Sequence, residues 1–126
     1  MAIHEFMFSV DDFMQPKVVK DAEAVQVLLT RLLLLEPGTF QSHPDMGVGL
    51  ISRFRYGVEG TASKLQSEFQ RQIEKYLPQF QGARVAVQEG DGTLFISAEI
   101  DDTLYGIYYE INTSKVTTKH TKLANL

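Results

Sequence analysis

Residues 84–112, RVAVQEGDGTLFISAEIDDTLYGIYYEIN, contain the pattern that decides the fold. Apolar and polar side chains alternate in three runs, as in strands with one buried face: residues 84–88, 93–100 and 103–112. Turns rich in glycine and aspartate, residues 89–92 and 101–102, separate these runs. We therefore expect a three-stranded antiparallel β-meander. Its last strand carries aromatic residues on both faces, which suits a sheet that is covered on both sides.

Two helices are expected ahead of the meander. Apolar residues three and four apart predict a helix over 21–35, which Pro37 and Gly38 terminate. The apolar surface of this helix is wider than one stripe, so we expect the core of the protein to bury one side of the helix and a partner to bury another. A second helix is expected over 61–77, with Thr61 as its N-cap. The chain is thus predicted to be α+β, with two main helices packed on a small C-terminal antiparallel β-meander.

Length and composition predict one domain, 1–126, because 126 residues with 44% hydrophobic content can bury a core. Residues 3–10 alternate and predict an N-terminal strand, which a linker to residue 16 follows. The core is expected over 17–112, and residues 113–126, with three lysines and no acid, are expected to form a polar basic arm. The start, MAIHEFMFSVDDF, has no signal-peptide pattern, and no apolar run reaches the ~20 residues of a membrane span.

Composition also excludes several kinds of chemistry. The absence of cysteine excludes disulfides, thiolate nucleophiles and cysteine-based zinc sites. The net charge of −4 argues against a dedicated nucleic-acid binder. The histidines are His4, His43 and His120, and only His43 has a neighbouring serine, so a Ser–His catalytic site is not favoured. We predict no cofactor and no metal site.

The acidic residues offer no recognisable catalytic pair. Glu36 follows a leucine run and is expected to bond loop amides at a helix end rather than to act as a glycosidase acid. Four acids could gather at one end of the meander and attract a cation, although solvated hairpin turns are favoured: Glu89, Asp91, Asp101 and Asp102.

Residues 36–60 are irregular, and a loop of this length in a small domain is usually functional. Pro44 fixes its own φ, and Asp45 can hydrogen-bond the backbone beyond it. Gly47 and Gly49 permit positive φ or the close approach of another backbone. Such a loop would be a rigid connector that returns three apolar residues to the core: Leu50, Ile51 and Phe54. Next in the sequence stands a strip that we interpret as a protein contact rather than a nucleic-acid site: Arg53, Phe54, Arg55 and Tyr56.

Three segments, LLT at 28–30, LEPGTF at 35–40 and HPDMGVGL at 43–50, resemble the baseplate wedge and sheath-initiator family of contractile phage tails and type VI secretion-like injection systems. The residues that match the family's loop motif are Glu36, Pro37, Gly38, Pro44, Asp45, Met46, Gly47, Gly49 and Leu50. The order of helix, loop, helix and meander also matches. Family members often have Glu-Pro-Arg after the second helix. This chain has Leu77-Pro78-Gln79, which keeps the proline and lacks both charges.

The resemblance implies a structural protein of the virion baseplate, made in the host bacterial cytoplasm, without catalytic activity. Its implied partners are the tail sheath protein, other wedge subunits and the tail tube or hub, with no nucleic acid or membrane, and six copies per baseplate. Two alternatives stay open. Some proteins with this fold are regulatory adaptors, and some members of the family have been labelled lysozymes.

The resemblance further implies that sheath strands add to an edge of the sheet, the binding mode called β-augmentation. We expect residues 103–112 to lie at or next to the receiving edge, with residues 3–10 as the alternative. The interface candidates are Arg53, Phe54, Arg55, Tyr56, Pro78, Tyr105, Tyr108 and Tyr109.

Overall fold

The computed structural model of this protein describes residues 22–54, 60–80 and 82–123. Its helices are α1 (Ala22–Leu34), α2 (Leu50–Arg53), α3 (Thr61–Tyr76) and a 3-10 helix (Pro78–Phe80), and its strands are β1 (Arg84–Gly90), β2 (Thr93–Ile100), β3 (Thr103–Glu110) and β4 (Lys115–Lys122). The α+β class, with two main helices and a C-terminal antiparallel sheet, is confirmed. The strand predicted over 3–10 lies outside the described residues, as do Arg55 and Tyr56. Across the described ranges, no helix has the length and apolarity needed to cross a membrane.

The start of α3 differs from the expected Thr61 cap. Gly60 is the N-cap residue, with φ at +83°, and no side chain caps the helix. Thr61 is instead the first helical residue and is buried. Glycine adopts a left-handed backbone without steric cost, so the chain can enter the helix here without a side-chain cap.

The four strands form a meander in the order β1-β2-β3-β4, and every neighbouring pair is antiparallel. Asp91-Gly92 and Asp101-Asp102 form the first two turns, and all four residues have positive φ. Positive φ at both central residues is the turn geometry that matches the twist of a hairpin. Glu89 and Gly90, expected in the first turn, instead complete β1 opposite Leu94 and Thr93.

β4 corrects the prediction of a basic arm over 113–126. Lys115–Lys122 pairs with β3 along its whole length, so the sheet has four strands rather than three. The valine and threonines of β4 favour an extended backbone. Val116 is its one strongly apolar residue, and this weak apolar signal hid the strand in the sequence.

The core lies between the two main helices and one face of the sheet. α3 packs beside β1, while α1 packs over β3 and β4. Leu94, Ile96 and Ile107 are the central buried residues of the sheet, and Leu29 and Phe69 cover them from the helices. The opposite face of the sheet carries no described helix.

Candidate functional site

The connector, defined as residues 36–49 between α1 and α2, packs against the end of α1. The Val48 N–H donates to the Leu32 carbonyl (3.1 Å), and the Gly49 N–H donates to the Leu35 carbonyl (2.9 Å). These bonds satisfy carbonyls that have no partner within the helix. The connector also contributes Met46 and Val48 to the core, and both are fully buried. It is therefore an ordered part of the packing.

Two glycines in the connector have the backbone conformation that the sequence predicted. The φ angle is +116° at Gly47 and +68° at Gly49. A Cβ on Gly47 would lie 2.8 Å from the carbonyl carbon of Leu35, and closer still to its oxygen. Gly38 also has a positive φ, +92°, but nothing lies within 4 Å of its Cβ position. Gly47 therefore combines an unusual φ with contact against a backbone, whereas Gly38 has open space.

Asp45 attaches the connector to α3. Its carboxylate accepts hydrogen bonds from the Lys75 ammonium (2.6 Å) and from the Tyr76 hydroxyl, and it lies 3.6 Å from the Arg71 guanidinium. The bonds from Lys75 and then Tyr76 hold the pKa of Asp45 well below its ordinary range. The bond to Asp45 in turn raises the pKa of Lys75. The sequence suggested that this carboxylate would bond the nearby backbone, but these partners lie on a distant helix.

Gln72 forms a second attachment between α3 and the connector. Its Nε2 donates to the Asp45 carbonyl (2.7 Å), and its Oε1 accepts from the Gly47 N–H (2.8 Å). The Gln72 side chain is fully buried, so both connector groups are satisfied inside the protein. Sequence reasoning missed Gln72. The available signal was a polar residue next to Phe69 and Ile73 on the apolar face of a helix.

Glu36 connects the start of the connector to α2. Its carboxylate accepts a hydrogen bond from the Ser52 hydroxyl. Its main-chain carbonyl accepts bonds from the N–H (3.2 Å) and the hydroxyl (2.6 Å) of Thr39. The carboxylate therefore bonds a side chain of α2 instead of the expected loop amides. Leu50 is buried as predicted, but Ile51 is 49% exposed, so the prediction that Ile51 enters the core is wrong.

The predicted contact strip is described only in part. The Arg53 guanidinium donates to the Val48 carbonyl (3.2 Å) and lies 5.7 Å from the centre of the Phe54 ring. Phe54 is half-buried against the core. Pro78 begins the 3-10 helix and is exposed. Arg53 is thus occupied with the connector and with its neighbouring ring.

The three tyrosines proposed for the interface divide between the two faces of β3. Tyr105 and Tyr109 are each 5% exposed and lie on the core face. Tyr108 lies on the opposite face, is 40% exposed, and packs its ring against Phe95 at 4.6 Å between centroids. Of these three tyrosines, Tyr108 is the one whose side chain is accessible to a partner. β3 pairs with β2 and β4, so residues 103–110 do not themselves form an edge but lie next to the edge strand β4. That sheath docks at or next to this strand stays a prediction.

The edge formed by β1 is closed by glutamines of α3. Gln70 accepts from the Val85 N–H (3.0 Å) and donates to the Ala83 carbonyl (2.8 Å). One turn earlier, Gln66 accepts from the Val87 N–H (3.2 Å). These side chains occupy two outward N–H groups that a further strand would need. Strand addition at β1 would therefore have to displace both glutamines.

β4 forms the other edge of the sheet. The Leu123 N–H donates to the Asp102 carbonyl (2.6 Å), so these two residues form a hydrogen-bonded pair just beyond the end of β4. In an antiparallel ladder such pairs alternate with pairs whose backbone groups point away from each other. The register therefore turns the N–H and C=O groups of four residues away from β3: Val116, Thr118, His120 and Lys122. Within the described ranges, no strand pairs with this side of β4.

The polar groups that the sequence raised for catalysis or metal binding do not assemble into such a site. The His43 Nδ1 lies 3.0 Å from the Ser42 hydroxyl, closer than the sequence suggested, and both residues belong to the connector. Asp91 and Asp101 lie in successive hairpin turns, which place them at opposite ends of the sheet. The described ranges contain no group of three or more histidine or acidic residues that could hold a metal ion.

Comparison with known structures finds a protein of the same α+β fold. The chain is similar to a putative tail lysozyme from Geobacter sulfurreducens, seen in its crystal structure, with a TM-score of 0.51 and 17% identity. The similarity covers 82% of this chain and 91% of that one. Comparisons with protein-family profiles and with curated proteins find no match. The shared architecture therefore extends over most of both chains, and at this identity it establishes the fold.

Proposed function

We propose that this protein is a structural component of a contractile-tail baseplate, where it joins the wedge to the sheath and nucleates sheath assembly. Two independent features support the proposal. The connector motif resembles that of the baseplate wedge and sheath-initiator family, and the fold is shared with a protein whose name associates it with a tail. The protein would then reside in the virion tail, with six copies around the tube. Its other partners would be wedge subunits and the tail tube or hub.

The observation that carries this proposal is the asymmetry between the two edges of the sheet. Gln66 and Gln70 close β1, whereas β4 directs a row of backbone donors and acceptors outward. An unprotected edge invites aggregation unless a partner uses it. A sheath strand that adds to β4 would form main-chain hydrogen bonds and leave β1 untouched. The receiving edge in this proposal is β4 rather than β3.

Thr118→Pro tests the docking edge. Proline removes an outward N–H and is tolerated at edge positions of this kind. Thr118→Val is the matched control, because it keeps the N–H and a β-branched side chain. Each variant would be expressed in a particle-producing strain that lacks the native gene, and the particles would be examined by electron microscopy after circular dichroism has verified folding.

We expect Thr118→Pro to give baseplates on tubes without polymerised sheath, and Thr118→Val to give sheathed tails. Normal sheath in a folded Thr118→Pro variant would exclude β4 as the docking edge. Loss of the baseplate itself in both variants would instead indicate that this position serves wedge assembly.

The structural neighbour's name raises the possibility of a lytic enzyme, which we consider as the second candidate. Glycoside hydrolysis needs two carboxyl groups across a cleft. Glu36 and Asp45 already bond Ser52 and the side chains of α3. We therefore expect the purified protein to leave peptidoglycan intact. Clearing that Glu36→Gln or Asp45→Asn abolishes, without loss of folding, would establish the enzyme. The regulatory adaptor has no specific observation in its favour.

A further inference from the structure

A groove runs along β4 on the side where α1 packs. One end, with a volume of about 470 Å³, is lined by Glu23, Gln26 and Val27 of α1 and by Thr118, Lys119 and His120 of β4. The other end, of about 390 Å³, is lined by a more apolar set: Leu34, Ile51 and Val116, with Thr30, Lys115 and Thr118. Thr118 lines both, so the two cavities adjoin at this residue, and we call them together the α1–β4 groove. It lies directly beside the outward backbone groups of β4.

The α1 side of this groove accounts for the apolar residues that exceed a single helical stripe. Val27 and Leu34 lie two turns apart on α1 and are half-buried, and Ile51 of α2 is 49% exposed beside them. A strand added to β4 would turn every second side chain toward these residues. The groove therefore favours apolar side chains at alternate positions of its occupant.

The polar end of the groove contains an unused acceptor. Gln26 is 6% exposed, and its Oε1 has no hydrogen-bond partner among the described residues. Buried polar groups in folded proteins are nearly always satisfied. A hydroxyl or amide donor of an occupant would supply the missing bond.

The other face of β4 is basic. Lys115 and Lys119 stand four residues apart at register positions that face away from the core, and each also borders the groove. Glu110 of β3 lies opposite Lys115, and none of the residues 111–123 is acidic. Neither lysine forms a salt bridge within the described ranges. Opposite charges on neighbouring strands stabilise pairing, whereas like charges destabilise it. An occupant with acids four residues apart would complement this face.

We propose that the α1–β4 groove binds an extended partner segment with apolar residues on its groove side and acids four residues apart on its outer side. This inference rests on the proposed function, because it specifies the chemistry of the strand that docks at β4. It predicts that the sheath segment which joins this protein has that alternation. The backbone of β4 supplies the pairing, the groove supplies apolar burial, and the lysines select for acids.

The test uses designed seven-residue peptides and the full chain. The first peptide has valine at its second, fourth and sixth positions, glutamate at the first and fifth, and threonine elsewhere. The second peptide has lysine in place of both glutamates. The third repeats the first with methylated amides along one edge, which blocks strand pairing. Binding is followed by titration with NMR, and amide exchange is measured at Val116, Thr118 and His120.

We expect the glutamate peptide to bind about tenfold more tightly than the lysine peptide, and to slow exchange at the three β4 amides. The methylated peptide should not bind. Lys119→Glu should reduce the preference for glutamate about threefold or more, because it reverses one of the two charges that face the peptide. The matched control is Lys64→Glu, at an exposed position of α3, which should leave the preference for glutamate unchanged.

Several results would overturn the inference. Equal binding of the two charged peptides would exclude the selection for acids, and unaltered exchange at β4 would exclude the groove. Slow exchange at the β4 amides in the free protein would show that the edge is already occupied. If the exchange rate depends on protein concentration, the occupant is a second copy; if it does not, the occupant belongs to the same chain. If the peptides behave as expected while a folded Thr118→Pro variant still assembles sheath, the groove binds such segments but sheath docking at β4, as proposed above, is excluded.

Discussion

Replacing Gly47 by alanine should destabilise the protein far more than the same change at Gly38. Both glycines have positive φ, +116° and +92° respectively, so alanine is strained at both. Only Gly47 also faces a backbone, because its Cβ would lie 2.8 Å from the carbonyl carbon of Leu35. The pair therefore separates conformational strain from steric displacement of the connector.

The magnitude follows from three contributions. A positive φ costs an alanine about 1–2 kcal/mol at either position. At Gly47 the added methyl group must also push the connector away from Leu35, which strains two hydrogen bonds: the one from the Gly49 N–H to Leu35 and the one from the Gly47 N–H to Gln72. Each is worth about 1 kcal/mol. We expect a loss of about 3–4 kcal/mol for Gly47→Ala and about 1–2 kcal/mol for Gly38→Ala.

Urea denaturation followed by circular dichroism measures both losses on the same scale. The loss at Gly47 would be a large part of the total stability of about 5–15 kcal/mol that domains possess. A difference of less than about 0.5 kcal/mol between the two variants, which is within the uncertainty of extrapolated free energies of unfolding, would show that the connector moves away from Leu35 without cost. The reasoning about the close approach would then be wrong.

Three further predictions concern α3 and the sheet. Hydrogen bonds lower the pKa of Asp45 in the folded protein, so its contribution to stability is present above the unfolded-state pKa of about 4 and is lost as the pH falls through the folded-state pKa. The urea midpoints of Asp45→Asn and the parent chain should therefore differ at pH 7 and converge as the pH falls below 4. Gln70→Leu, which uncovers the edge of β1, should cost about 1–3 kcal/mol and cause concentration-dependent association on gel filtration, unlike Gln88→Leu on the exposed face of the same strand. Tyr109→Ala should cost about 3–5 kcal/mol from the core, and Tyr108→Ala about 1 kcal/mol from its ring contact with Phe95; similar losses in thermal or urea unfolding would show that the two faces of β3 were assigned wrongly.

The sequence predicted those elements whose buried face alternates strongly. The bounds of β2 agree with the expected run, because Leu94, Ile96, Ala98 and Ile100 are all buried on one side. β4 escaped prediction because it lies at an edge of the sheet, where polar side chains are tolerated. Because of that one omission, the expected docking position could be given only as at or next to β3, since a three-stranded meander would end at β3.

The contacts that hold the connector were less accessible to sequence reasoning. The glycine pattern predicted an unusual backbone, but the partners of Asp45 lie about thirty residues further along the chain. Which residues of α3 face the connector depends on the packing of α3 against the core. Local patterns therefore identified the connector and its glycines, and the tertiary structure was needed to find Gln72.

The contacts of Gln66 and Gln70 with β1 likewise could not be predicted from the sequence. Both glutamines stand on an amphipathic helix, where polar residues ordinarily indicate a solvated face. Gln66 and Gln70 are four residues apart, which is one helical turn, and they accept hydrogen bonds from two β1 amides that are two residues apart. This match between the spacing on the helix and the spacing on the strand becomes visible only when the position of α3 relative to β1 is known.

Electron cryomicroscopy of an intact particle, at the ring where sheath meets baseplate, would show directly whether β4 receives a sheath strand. We expect a sheath strand hydrogen-bonded to the outward amides of Val116, Thr118 and His120, with α3 still covering β1. A sheath that contacts this protein elsewhere and leaves the β4 edge without a sheath strand would contradict it.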